Sequence, residues 1–124
     1  MSPQPVQPRY AEQISNETHA TSIGALELDL VMGHVKLAGQ PVHLTNLEFR
    51  VLSYLIQHAG RVVSTSELLQ AAWKYRPGAS GTSDQVRSCI KRLRQKIELD
   101  SRHPTFIMTA LGGGYFVPSR IEPR

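Results

Sequence analysis

Between residues 83 and 99, the apolar side chains Val86, Ile90, Leu93 and Ile97 recur at spacings of four, three and four. That is the period of a helix with one buried stripe. Arg87, Ser88, Lys91, Arg92, Arg94 and Gln95 fan over the opposite side. The pattern predicts a helix over 83–99 that is held to a core along one face and is cationic along the other. Two further helices precede it. Thr45-Asn46-Leu47-Glu48 is a capping box, opening a helix that buries Phe49, Leu52, Leu55 and Ile56 and stops at Gly60. Ser64-Thr65-Ser66-Glu67 repeats the box and starts a shorter helix with Leu68, Leu69, Ala72 and Trp73 on its apolar side. Trp73 continues the stripe of Leu69, so it is expected as a core anchor rather than a base-stacking residue. Thr82-Ser83-Asp84-Gln85 offers a third box at the head of the basic helix, with Gln85 in the acidic place.

Elsewhere the period is two. Residues 21–23, 26–30, 34–37 and 41–44 alternate and are broken at Gly24, Gly33 and Gly39, which predicts a small antiparallel sheet with one wet face. Residues 61–63 are long enough only for a small strand. Residues 105–109 and 115–117 are strand-like and joined through Leu111-Gly112-Gly113-Gly114. Three successive glycines suit a tight hairpin whose tip can approach another backbone closely. Two capped helices, a basic third and a terminal hairpin make a helix-turn-helix with a wing. The prolines at 3, 5 and 8 mark residues 1–18 as a flexible tail or linker, 19–119 as the domain, and 120–124 as a short C-terminal tail. Residues 74–82, with Pro77, Gly78 and Gly81, form a loop that is long for this motif.

Composition and charge narrow the partner. A chain of 124 residues has room for one domain with a core. Its formal net charge is +4 and its pI about 9.6. Five basic residues against two acidic ones in 83–99 place a local +3 on the basic helix. Such a field favours a polyanion, nucleic acid ahead of a membrane surface. Cys89 is the only cysteine, which excludes an intrachain disulfide and fits a reducing compartment. It lies beside the buried stripe and reads as a packed thiol rather than a redox sensor. The five histidines show no metal-ligand spacing, and there is no nucleophile elbow, carboxylate pair or nucleotide fingerprint. No enzyme activity, metal or cofactor is expected. No apolar run approaches a membrane span and the first residues lack a signal-peptide pattern, so a cytoplasmic protein is expected.

Several fragments, in order, resemble the winged-helix effector domain of OmpR/PhoB-class bacterial response regulators over residues 20–118. They are Leu44-Thr45, Glu48-Phe49 and Val51-Leu52, then Gly60-Arg61-Val62-Val63 with Glu67-Leu68-Leu69 and Trp73. Val86, Ile90-Lys91-Arg92-Leu93-Arg94 and Ile97 follow, and then Ile107, Thr109 and Gly112-Gly113-Gly114-Tyr115. The resemblance implies an α+β winged helix-turn-helix: an N-terminal four-stranded antiparallel sheet, three helices and a C-terminal β-hairpin. It also implies that the third helix enters the DNA major groove while the wing, 105–117, touches the adjacent minor groove or backbone. Three positions depart from the family. Arg87 stands where an acidic residue is common, Cys89 where an aromatic or histidine is frequent, and Leu111 where the wing often carries arginine. These changes leave the expected fold intact, and the family's base preferences are not carried over to this chain.

Arg87, Ser88 and Lys91 lie early on the exposed face, where base edges are reached, with phosphate as the other outcome for Arg87 and Lys91. The resemblance adds Arg92 and Arg94 on backbone or flanking bases, and Thr109 and Gly113 on the wing. Thr82 and Ser83 can bond phosphate at the helix N-terminus, although capping alone explains them. Lys96 is expected to be a solvated or structural charge. The resemblance further implies tandem binding of the otherwise monomeric domain to repeated half-sites, and contact of RNA polymerase with the loop carrying Lys74, Tyr75 and Arg76. The receiver domain of such regulators is absent from these residues. A winged helix docking on an acidic protein, and a non-specific architectural DNA binder, are the competing functions.

Overall fold

Leu26 and Leu28 face inward from the second of four antiparallel strands, and that alternation sets up the sheet. In a computed structural model of the chain, which describes residues 20–73 and 81–120, β1 (Ala20–Ile23), β2 (Leu26–Asp29), β3 (His34–Leu37) and β4 (Gln40–Val42) pair in chain order. The tail expected at 1–18, Lys74, Tyr75 and Arg76 of the loop expected to meet RNA polymerase, and the final residues 121–124 lie outside the described residues. Thr21, Leu28, Val35 and Val42 stand in register on the inner face, while Ser22, Glu27, Lys36 and Pro41 form the row on the wet face. β2 ends at Asp29, one residue before the predicted end. The Asp29 carboxylate accepts the amides of Val31 and Met32, each at 3.0 Å, and so closes the turn in place of a further ladder bond. β4 begins at Gln40 and ends at Val42, two residues short of the predicted end, before the chain enters its helix cap at Thr45.

Three helices pack against the inner face. They are α1 (Asn46–Gln57), α2 (Thr65–Ala72) and α3 (Ser83–Ile97). Val51, Leu52 and Leu55 of α1, Leu68 and Ala72 of α2, and Val86, Cys89, Ile90, Leu93 and Ile97 of α3 join the strand leucines in one core. Phe49 is half-buried at its margin rather than inside it, and Trp73 is buried as expected. The boxes at Thr45 and Thr82 form in full. The one at Ser64 forms only by half: Ser64 Oγ accepts the Glu67 amide at 3.0 Å, but the Glu67 carboxylate does not reach back. It receives Arg61 Nη2 at 2.6 Å and the Tyr54 hydroxyl at 2.5 Å instead. Glu67 therefore joins α1 to the start of α2, a tertiary use that the local motif hides.

The wing is shorter than predicted. Only β5 (Met108–Thr109) and β6 (Tyr115–Phe116) pair, although the alternation extends back to residue 105. The amides of Thr105, Phe106 and Ile107 are taken by the carboxylate of Glu98, the C-cap residue of α3, at 2.8–3.0 Å. A backbone whose donors are already bonded has none left for a ladder. The small strand expected at 61–63 is a single bridge, in which Val63 and Tyr115 exchange both bonds at 2.8 and 2.9 Å. It ties the wing to the chain between α1 and α2. Gly114 makes this approach possible: a Cβ there would lie 2.7 Å from Val63 O, and its φ is +90°.

Two alanine substitutions separate close approach from backbone strain. Gly112 has a similar φ of +86° but open space around it. Gly112→Ala is expected to cost about 1 kcal/mol, and Gly114→Ala about 3 kcal/mol because steric overlap adds to the strain. Urea unfolding of the two variants measures the difference, and equal costs would contradict the approach.

Candidate nucleic-acid interface

The polar surface of α3 is sorted by what its flanks touch. On the flank towards α1, Lys96 Nζ lies 2.6 Å from Glu48 Oε1 and Arg92 Nε lies 3.1 Å from Glu48 Oε2. Glu48 is only 1% exposed and also accepts the Thr45 amide at 3.1 Å, so one carboxylate completes the α1 cap and fixes α3 beside it. Burial alone would raise its pKa. The bonds from Lys96, the Thr45 amide and Arg92 outweigh burial and hold it below the ordinary 4.5.

On the opposite flank, Arg94 reaches the wing. Its Nε and Nη2 donate to Ile107 O at 3.0 and 2.8 Å, and Nη2 also donates to Thr109 Oγ1 at 2.8 Å. The guanidinium carbon stands 5.8 Å from the centre of the Tyr115 ring. Glu98 takes the Ile107 amide at 2.8 Å, so both polar groups of residue 107 are held by side chains from the end of α3. The wing root is thereby fixed to the helix.

Between the flanks, Arg87, Ser88, Lys91 and Gln95 remain exposed, within about 100° of one another by helical geometry. Arg87 forms a 2.6 Å pair with Asp84, but both side chains are largely in solvent, at 70% and 85% exposure. Such a pair contributes little and exchanges readily. Lys91 has no ion-pair partner among the described residues. Ser83 is exposed in the first turn, and Thr82 donates and accepts within its capping box. Thr109 and Gly113 are exposed on the wing, Thr109 already accepting from Arg94. Of the residues singled out from the sequence, Arg87, Ser88 and Lys91 thus form the open stripe, whereas Arg92 and Arg94 act first as structural ties. Lys96 is structural, as expected. Cys89 is fully buried, and burial pushes its thiol up to about 11, which suits packing rather than redox chemistry.

Two positions that the sequence located were given no part in the site. Gln95 extends the stripe by one turn, and its i+4 spacing from Lys91 was the available signal. Trp73 is 2% exposed, its indole Nε1 finds no hydrogen-bond partner among the described residues, and it lines a cavity of about 350 Å³ with Leu47, Gln85, Ser88 and Arg92. The unused donor belongs to a tertiary environment that its spacing in the sequence does not reveal.

Comparison with known proteins agrees with this geometry. Residues 39–117 match the family described as "Transcriptional regulatory protein, C terminal". The response regulator DrrB of Thermotoga maritima, an OmpR/PhoB homologue, is 30% identical with a TM-score of 0.74, the match covering 95% of this chain and 53% of DrrB. The chain therefore spans about half the length of that relative. The DNA-binding domain of RstA from Klebsiella pneumoniae, solved in complex with the RstA box, is 29% identical with a TM-score of 0.70, covering 82% of this chain and 98% of that domain. The DNA-binding domain of CpxR from E. coli is 31% identical with a TM-score of 0.66 and the same two coverages. The chain belongs to the OmpR/PhoB-type family of winged-helix, DNA-binding transcriptional regulators. No helix among the described residues is long and apolar enough to cross a membrane.

The shared carboxylate predicts an acid response. Glu48 is held below 4.5, and Glu67 is lowered from 4.5 to about 2 by its bonds from Arg61 and Tyr54. A depressed carboxyl pKa contributes stability that is complete above the ordinary value and lost as pH falls towards the folded value. Stability should therefore decline below pH 4.5 and continue to fall towards about 2. Glu48→Gln should cost about 2 kcal/mol at pH 7 and flatten that decline, as read by urea unfolding at pH 7, 4 and 3. An unchanged slope would remove Glu48 from the account.

Proposed function

We propose that the domain acts as the effector of a two-component transcriptional regulator, reading DNA with α3 in the major groove and the wing on the adjacent minor groove or backbone. One observation carries the residue assignment: Arg92, Lys96 and Arg94 are engaged by Glu48 and the wing, whereas Arg87, Ser88, Lys91 and Gln95 lie open between them. A major groove about 12 Å wide admits a helix along such a stripe. Arg87, exchanged from Asp84, and Lys91 suit guanine O6 and N7. Thr82 and Ser83 at the head of α3 suit a backbone phosphate, with Arg92 offering its exposed edge. Thr109 and Gly113 add wing contacts.

The known complex of RstA with its box supports this placement by likeness. Binding of two copies to repeated half-sites in tandem, contact of RNA polymerase with Lys74, Tyr75 and Arg76, and a cytoplasmic setting complete the proposal; they rest on the family resemblance.

Selection of duplexes from a random pool tests the core of it. An enriched half-site, repeated at a fixed spacing, is expected. Arg87→Ala and Lys91→Ala should each weaken binding by about 1–3 kcal/mol and relax preference at one base pair. A variant that lost a phosphate contact would instead weaken all sequences alike and lower the salt slope by about 0.9. Recovery of no motif, with both variants binding as wild type, would sink the reading in favour of protein docking. Salt-sensitive binding without sequence preference would favour an architectural role.

A further inference from the structure

The wing contains no charged side chain. From residue 108 to 118 it reads Met, Thr, Ala, Leu, three Gly, Tyr, Phe, Val, Pro. Its nearest guanidinium, Arg94, is committed to Ile107 O and Thr109 Oγ1. A wing of this kind has no cation of its own for phosphate, so any contribution it makes to DNA binding must be of another chemistry.

What it presents is Leu111. This residue is 104% exposed, more than any other large apolar side chain among the described residues; Leu99 follows at 80%. Its position is held rather than loose. Gly113 N donates to Ala110 O at 3.1 Å and Ala110 N to Gly114 O at 3.0 Å, closing a turn with Leu111 and Gly112 at its corner. The φ of +86° at Gly112 is the value that the third residue of a type II turn requires. A Cβ at Gly112 or Gly113 would meet nothing within 4 Å, so the flanks of the leucine are clear. The hairpin behind it is fixed to α3 by Arg94 and Glu98 and to the chain before α2 by the Val63 bridge. A fully exposed isobutyl group on a rigid tip, beside the cationic stripe of α3, has the form of a wedge.

We propose that Leu111 enters the DNA minor groove as an apolar wedge against the sugars and base edges, giving the wing a non-ionic contact that prefers steps without a guanine amino group. The inference rests on the function proposed above, with α3 in the major groove and the wing over the neighbouring minor groove. Apolar wedges act on minor-groove shape, and the N2 amino group of guanine projects from that groove's floor.

The full chain is titrated by fluorescence anisotropy with duplexes recovered from the random pool, over a series of salt concentrations. Leu111→Ala should weaken binding roughly tenfold, by loss of buried apolar surface, with the salt slope unchanged. Leu111→Arg should steepen the slope by about 0.9, as an added phosphate contact would. Replacing base pairs under the wing by inosine·cytosine or guanine·cytosine alters only the minor-groove amino group. Wild type should favour inosine, and Leu111→Ala should bind both duplexes alike. Equal affinity of wild type and Leu111→Ala, a changed salt slope in Leu111→Ala, or wild-type indifference to inosine would each overturn the wedge while leaving α3 binding intact. A wild-type chain that selects no duplex removes the underlying reading itself.

Discussion

Val86, Ile90, Leu93 and Ile97 must be buried together, and that one constraint fixes how α3 can lie on the core. A helix so placed has two flanks and an outer face, and each is used differently. One flank meets Glu48, whose carboxylate is shut from water and needs two cations and an amide to remain ionised. The other flank meets the wing. Only the outer face stays open, and its composition is therefore what a partner meets.

The link from helix to wing is short and specific. Arg94 and Glu98 grip opposite polar groups of Ile107, so the root of the hairpin is bonded to the end of α3 on both sides of that residue. The price is a truncated strand, since the amides of 105–107 serve a carboxylate instead of a neighbour. A helix and a wing joined this way present one rigid surface. Less ordering entropy then remains to be lost on binding.

Much of this was legible locally. The three helices, two complete capping boxes, the buried stripe of α3, the packed Cys89 and the glycine hairpin all follow from short-range patterns that obey backbone geometry. The helix ends differ, however: α1 stops at Gln57 rather than at Gly60 and α3 at Ile97 rather than at residue 99, where Glu98 turns to cap the helix and bond the wing. The strand ends at Asp29 and residue 108, and the half-formed box at Glu67, were not legible. In each case a side chain that the local pattern assigned to one role, or to none, was claimed by backbone or by residues distant in sequence. Glu67 is the plainest example: its spacing from Ser64 fits a box, yet Arg61 and Tyr54 hold its carboxylate.

The same division separates the cations. Periodicity by itself determined that five basic residues share one amphipathic helix and that a wing follows it, because burial of apolar side chains imposes a helical repeat on the sequence. It treated Arg87, Lys91, Arg92 and Arg94 as equivalent members of one charged face. Tertiary structure divided them. A buried Glu48 and the bare polar groups of Ile107 had to be satisfied, and the two arginines and one lysine within reach took those places. Arg87 and Lys91, facing away from any buried polar group, kept their charges in water.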